Sequence, residues 1–331
     1  MATRRMTLVR RLAIAALSAG FMLGSLAATV TRAEDYPTRP IRVVVGFGPG
    51  AVADVILRVM ASRMSQTLGQ QLVVENRPGA GSSLGAEYVA RAAKDGYTLL
   101  MCTVAQTINP AMNNLSFDFG RDFAPIMAVA NAPQILVAHP SFPANTVQEL
   151  IALAKSRPEG VQYASSGAGT MSHLSGVLLN SVAGITLQQI PYPGSAQSMT
   201  DVLAGRVPLM FGPAATVWTN VRAGKLKALA VTQSTRAAIA PDVPTMVEAG
   251  VPGYSAGIWM GLLAPAGTPP EIVDKLSRAA NEALKSKEVL ALLEKQGVDP
   301  LGGAPAEFAR FIDVELKKWD SVVKAAGFKP K

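Results

Sequence analysis

The sequence predicts a mainly parallel α/β fold, and three observations carry that reading. From Pro40 onward, short β-branched runs alternate with stretches of helical period, the pattern of strands joined by crossover helices. Glycine- and serine-rich turns stand repeatedly between a strand and the helix that follows it. Two apolar segments, around 128–137 and 257–264, read as strands that cross between two halves of the molecule.

Taken in order, residues 1–33 stand apart from the fold. Arg4, Arg5, Arg10 and Arg11 precede an uncharged apolar stretch over 12–30, and Thr31-Arg32-Ala33 puts small residues at −3 and −1 of a cleavage site. That is the layout of a secretory signal peptide. A membrane anchor is the alternative, because the run is near the shortest that spans a bilayer. Thr3-Arg4-Arg5 leaves the export route open between the general secretory and twin-arginine systems. The fold proper starts with a strand at 41–45, a Gly-rich turn and a helix to about Leu68. A strand at 71–75, a loop over 76–81, a helix over 83–93 and a strand at 97–102 follow. Later strands are predicted at 126–129, 134–139, 161–164, 187–190, 208–211 and 226–231. Thr146-Val-Gln-Glu149 has the form of a capping box, with hydroxyl and carboxylate each satisfying a backbone N–H. Thr268-Pro-Pro-Glu271 opens another helix, with Pro269 expected at its first position, where a missing N–H costs nothing. From there to Lys324 the pattern is helical, with a break near 297–305.

Composition narrows the function classes. The net charge is +8, but Arg4, Arg5, Arg10, Arg11 and Arg32 of the leader supply most of it. No cluster of basic residues interleaved with aromatics points to nucleic acid. The only cysteine, Cys102, ends an apolar run; it cannot form an intrachain disulfide and reads as a small buried hydrophobe. Two histidines and one cysteine do not make a typical zinc site. No metal and no cofactor is expected.

Four strand-to-helix turns carry the chemistry. The first, Val45-Gly46-Phe47-Gly48-Pro49-Gly50-Ala51-Val52-Ala53-Asp54, satisfies a dinucleotide fingerprint literally, with Glu75 in the place of a ribose-binding acid. An exported protein has little access to NAD, however, and no hydride-transfer residues follow. The same backbone aims unpaired N–H groups and the positive end of a helix dipole at any anion, a carboxylate included; a tight turn with no ligand is the plainer reading. Asp54 reads as a partner of that dipole. Gly81-Ser82-Ser83-Leu84-Gly85 satisfies the nucleophile-elbow pattern, but residues 76–80 separate it from the preceding strand, so Ser83 is expected to begin a helix as cap or first-turn residue. The third turn is Tyr163-Ala-Ser165-Ser166-Gly167-Ala-Gly169-Thr170-Met-Ser172-His173, in which His173 reads as a packing residue inside a helix. The fourth, Pro191-Tyr192-Pro193-Gly194-Ser195-Ala196, enters a helix with Ser195 expected as its cap. Lys and Arg are absent from all four. Such turns at the carboxyl ends of strands are where α/β sheets bind ligands. Nothing is arranged as nucleophile, base and orienter, so reversible capture of an anion by neutral dipoles is the reading the residues favour. A secreted serine esterase with Ser83 as nucleophile is the alternative.

Ordered motifs along the chain resemble the substrate-binding receptors of tripartite tricarboxylate transporters, the Bug receptor family. They run from Tyr36-Pro-x-x-Pro40-Ile through the first turn, Val74-Glu-Asn-Arg-Pro-Gly-Ala-Gly81, Asp95-Gly-Tyr-Thr-Leu-Leu100 and Ile108-Asn-Pro110. Beyond these come Tyr163-Ala-Ser-Ser-Gly167 with His173-Leu, Tyr192-x-Gly-Ser195, Ala223-Gly-Lys-Leu-Lys-Ala-Leu-Ala230 and Gly261-Leu-Leu-Ala-Pro-Ala-Gly-Thr-Pro269. The resemblance implies a type II periplasmic-binding-protein fold with two lobes and two crossover strands. Its expected division is 1–33 signal peptide, 34–133 plus 256–331 lobe one, and 134–255 lobe two. It implies a periplasmic solute-binding protein, a monomer and not an enzyme, serving the membrane subunits of a tripartite tricarboxylate-type transporter or a sensor. The implied ligand is a di- or tricarboxylate, an acidic amino acid or an aromatic acid. Carried over residue by residue, it assigns Phe47, Gly48, Gly50, Ala51 and Ser82 of lobe one to the ligand. From lobe two it assigns Ser165, Ser166, Gly169, Thr170, Tyr192, Gly194 and Ser195. Ala51 and Ala53 stand where the family often has Gly and a hydroxyl residue, Pro193 where a Lys is common, and Gly212 where an Asp is common. With Trp218 near the rim, these departures favour a less polar or aromatic acid.

Overall fold

The computed structural model describes residues 36–328; the signal peptide expected over 1–33 lies outside them. The elements in chain order are β1 (Ile41–Val45), α1 (Val52–Leu68), β2 (Leu72–Asn76), a 3-10 turn (Ala80–Ser82), α2 (Ser83–Ala90), β3 (Thr98–Thr103), α3 (Ala105–Met112) and β4 (Phe123–Ala132). Next come β5 (Gln134–Ala138), α4 (Val147–Lys155), β6 (Val161–Ser165), α5 (Met171–Ala183), β7 (Leu187–Pro191), α6 (Ser195–Leu203), β8 (Leu209–Pro213), α7 (Ala214–Arg222) and β9 (Lys227–Val231). The chain ends with β10 (Ile258–Pro265), α8 (Pro270–Leu284), α9 (Lys287–Gln296), β11 (Asp299–Gly302) and α10 (Pro305–Ala325).

Two sheets result. A six-stranded sheet has the order β11-β4-β10-β3-β1-β2 and a five-stranded sheet the order β7-β6-β8-β5-β9. Within the first, β1 pairs parallel with β2 and β3, while β10 runs antiparallel between β3 and β4. Within the second, β6 pairs parallel with β7 and β8, and β5 runs antiparallel to β8 and β9. The chain passes from the first sheet to the second at Pro133 and returns between Val231 and Ile258. The strand sequences suit these places. Ile41, Val43, Val44 and Val45 are all fully buried, as expected of a parallel strand covered on both faces. Cys102 is buried in β3 and its thiol donates to the Gly261 carbonyl of neighbouring β10 at 3.2 Å; burial pushes its pKa far up.

Helix α10 is pinned to the returning strand by a buried polar knot. The Glu315 carboxylate accepts the indole N–H groups of Trp259 in β10 and of Trp319, each at 2.8 Å, and pairs with Lys318. The Lys318 ammonium also donates to the Ser255 carbonyl at 2.8 Å. Burial lowers the lysine pKa against the opposing pull of Glu315.

The structure differs from the sequence reading at several points. The apolar segment 128–137, expected both as one crossing strand and as parts of the strands at 126–129 and 134–139, is two strands in different sheets on either side of Pro133, which has no N–H for either ladder. β11 occupies the break near 297–305, and α3 lies between the predicted strands. Pro270, not Pro269, is the first helical residue after Pro269 in the cap position, and the Thr268 hydroxyl donates back to Pro265. At Thr146 the hydroxyl accepts the Glu149 N–H at 3.1 Å, but the Glu149 carboxylate takes the N–H of Asn145, one residue before the cap. Ser195 is the first residue of α6, with Gly194 in the cap position.

Candidate functional site

The first turn leaves β1 at Val45 and enters α1 at Val52. Gly50 has φ +86°, a conformation glycine adopts without strain, and its N–H donates to Asp54 Oδ2 at 2.9 Å. Asp54 is buried. It also accepts from Asn76 Nδ2 at 2.8 Å and forms an ion pair with Arg58 at 2.9 Å. Asn76 binds the Phe47 carbonyl at 3.0 Å as well, so one carboxylate and one amide hold the turn at both ends. Burial works against the Asp54 charge, but the bonds from Arg58, Gly50 and Asn76 outweigh it and hold the carboxyl below its ordinary value. No close protein atom surrounds a Cβ built on Gly48.

Ser82 is packed against this turn: a Cβ on Gly46 would meet its side chain and lie 2.9 Å from its backbone carbonyl. It sits in a strained run, for Gly79, Ala80, Gly81 and Ser82 all have positive φ, and such strain in non-glycine residues gathers at functional sites. The run is held from α3. Gln106 donates to the Ser82 hydroxyl at 2.5 Å and accepts the Thr103 N–H at 2.7 Å. Asn109 donates to the Gly81 carbonyl at 2.7 Å and to the Ser83 hydroxyl at 3.0 Å.

In the second lobe the third and fourth turns lie side by side. The Ser165 carbonyl accepts the Tyr192 N–H at 3.0 Å. The Ser165 hydroxyl is fully buried, taking N–H groups from Gln189 at 2.7 Å and Gly167 at 3.3 Å; it is a brace between turns rather than an open donor. Ser166, Thr170 and Ser172 form a hydroxyl cluster, with Ser172 Oγ 2.9 Å from Ser166 Oγ and 3.0 Å from Thr170 Oγ1. Gly169 has φ +75° and donates its N–H to His173 Nδ1 at 3.1 Å. The Tyr192 hydroxyl donates to Asp201 at 2.8 Å, and Asp201 is paired with Arg206. Burial first and the Asp201 carboxylate second raise the Tyr192 pKa. Gly194 is extended at φ 174° with open space at its Cβ position.

The structure thus brings Phe47, Gly48, Gly50, Ala51 and Ser82 together in one lobe. Ser165, Ser166, Gly169, Thr170, Tyr192, Gly194 and Ser195 come together in the other. Across the lobes, a Cβ on Gly169 would lie 2.8 Å from the Met112 methyl at the end of α3. Helix geometry leaves the first-turn amides of Val52 and Ala53, Met171 and Ser172, and Ser195 and Ala196 without carbonyl acceptors in their own helices. Gln106, Asn109, Arg58, Asn76 and Met112 are residues the sequence reading did not place here. Only Arg58 left a sequence signal, its four-residue spacing from Asp54. The Ser83 hydroxyl is bonded to Asn109, whereas His139 Nδ1 is bonded to Ser141 and His173 Nδ1 to Gly169. Among the described residues no group of three or more His, Cys, Asp and Glu side chains is placed to hold a metal ion.

A family model described as "Tripartite tricarboxylate transporter family receptor" matches residues 56–328. The chain belongs to this family. The receptor is 35% identical to protein BugT of Bordetella pertussis over 98% of its own length and 100% of that protein's. Two solved structures place its fold among two-lobed solute-binding proteins. R. palustris Rpa4515 with adipate is 34% identical, covering 90% of the receptor and 100% of that chain, with a TM-score of 0.68. A TctC solute-binding protein from Polaromonas with no ligand is 29% identical, covering 87% and 99%, with a TM-score of 0.82.

Proposed function

We propose that the receptor captures a small organic carboxylate between its lobes in the periplasm and delivers it, as a monomer and without chemical turnover, to the membrane subunits of a tripartite tricarboxylate-type transporter. The lobes in this reading are 34–133 plus 256–331 and 134–255. The observation that carries it is the same arrangement in both lobes: a glycine turn entering a helix N-terminus, whose orphan amides favour an anion. The one carboxylate inside the first turn, Asp54, is already matched by Arg58, so it does not repel a second anion as a bare charge would. The adipate held by a relative of 34% identity supports a dicarboxylate. The donors in this reading are the turn amides about Phe47, Gly48 and Ala51, the amides about Gly194 and Ser195, and the Ser166 hydroxyl; Ser82, Thr170 and Tyr192, whose hydroxyl protons go to Gly81, Gly167 and Asp201, line the site and fix its shape. Gly50 and Gly169 contribute conformation, and Ser165 contributes bracing.

The test uses two glycines whose Cβ positions are open. A thermal-shift screen with adipate, shorter and longer dicarboxylates, acidic amino acids and aromatic acids identifies the ligand class; a ligand at 100 times its Kd stabilises by about 2.7 kcal/mol. Gly48→Ala and Gly194→Ala should leave the melting temperature of the free protein unchanged and weaken the best acid at least ~10-fold, about 1.4 kcal/mol. Binding unchanged in both would remove these turns from the site. A dimethyl ester that binds as well as its diacid would end the carboxylate reading. Ester hydrolysis abolished by Ser83→Ala would replace it with the esterase.

A further inference from the structure

The two lobes carry one device in two chemical versions. Gly48-Pro-Gly50-Ala-Val-Ala-Asp54 and Gly167-Ala-Gly169-Thr-Met-Ser-His173 share the spacing Gly-x-Gly-x-x-x-acceptor. In each, the second glycine has positive φ, +86° and +75°, and gives its N–H to the side chain four residues on, at 2.9 Å and 3.1 Å. A helix-entry turn with a glycine at positive φ is conformationally loose on its own, and tying its amide to the first helical turn removes that freedom. In lobe one the acceptor is an anion matched by Arg58. In lobe two it is an imidazole that has no ion-pair partner among the described residues. Its ring stands edge-on to Phe328, centroids 5.8 Å apart. Its carbonyl accepts the Tyr163 hydroxyl at 2.9 Å, and Met112 lies beside Gly169.

We propose that His173 is the positioning residue of the lobe-two turn: as a neutral imidazole protonated on Nε2, it accepts the Gly169 N–H on Nδ1 and so keeps the Ser166–Thr170–Ser172 hydroxyl cluster and the amides entering α5 in the arrangement that meets the ligand. This rests on the carboxylate reading above. Nδ1 can accept only while it is unprotonated, and burial of the ring favours that form. The imidazole thus makes the lobe-two turn sensitive to acid over a range where Asp54, held ionised, leaves the lobe-one turn unchanged.

The experiment compares His173→Asn, whose Oδ1 stands near the place of Nδ1 and accepts, with His173→Leu, which fills similar space and cannot. Both lose the ring against Phe328, so a purely structural role lowers their melting temperatures together and their affinities together. Positioning predicts instead that His173→Leu weakens adipate at least ~10-fold while His173→Asn stays within about threefold of wild type. It also predicts that wild-type affinity falls more steeply than that of His173→Asn as pH is lowered from 7.5 to 5, protonation of the adipate itself being common to both. Equal losses in the two variants, or none in either, overturn it. If wild type takes up no adipate, that failure belongs to the reading of function for this acid, and ring 15N shifts with Gly169 amide exchange decide the present proposal. It stands if Nδ1 is unprotonated and exchange at Gly169 quickens in His173→Leu but not in His173→Asn. It falls if Nδ1 carries the proton or exchange is the same in all three proteins.

Discussion

At the scale of residues, the turns are ordered by side chains that never need to touch a ligand. Asp54 gathers three donors, and hydrogen bonds to a charged group contribute roughly 1.5–3 kcal/mol each. Asp54→Ala should therefore lower the unfolding free energy by about 2 kcal/mol or more, read from urea midpoints at pH 7. Because the folded carboxyl lies below its ordinary value of 3.8, its contribution is complete above that value and is lost as pH falls through the folded one. At pH 3 the gap between wild type and variant should narrow. His173 has the same sign for a different reason. Its folded pKa is depressed from 6.5 by burial, so unfolded chains take up the proton first. Stability is complete above pH 6.5 and declines as pH drops towards the folded value. Melting temperatures between pH 7.5 and 5 should show that decline in wild type and less of it in His173→Asn. The glycine turns were legible in the sequence because their conformational need is local. Asp54 and His173, expected in dipole and packing roles, instead take the amides of Gly50 and Gly169, a pairing that the four-residue spacing permits and does not by itself require. Gln106 and Asn109 reach Ser82 and Gly81 from more than twenty residues away, and nothing in local pattern announces such contacts.

At the scale of elements, close approach and buried charge set the geometry. Gly46 lets β1 and the strained 79–82 run touch, and a methyl there would collide with Ser82 backbone atoms 2.9 Å away. Gly46→Ala should cost about 1–3 kcal/mol, as overpacking does, and should weaken binding through displacement of Ser82. Calorimetric unfolding with and without ligand would separate the two effects. Glu315 anchors α10 to β10, and Glu315→Ala strands Lys318 and two indole N–H groups in the interior. A loss of about 3–5 kcal/mol is expected, read from denaturant unfolding. Most strands were legible because β-branched runs marked them. β11 was not, since Asp299-Pro-Leu-Gly302 has neither length nor periodicity and becomes a strand only by pairing with β4. The split of 128–137 at Pro133 matches the separate strands predicted at 126–129 and 134–139, and the proline's missing N–H is its local cause.

At the scale of the molecule, two sheets are joined by two crossings, and turns from both are proposed to meet one ligand. The receptor superposes better on a ligand-free relative of 29% identity than on an adipate-bound one of 34%, with TM-scores of 0.82 and 0.68. A ligand that touches both lobes favours the state in which they close on it. Small-angle X-ray scattering of the receptor, alone and saturated with the acid that gives the largest thermal shift, measures this directly. The radius of gyration should fall on saturation, and the Gly48→Ala, Gly194→Ala double variant should need a much higher concentration to reach the same compact state. An unchanged radius at saturation, with calorimetry showing the acid bound, would contradict capture between the lobes.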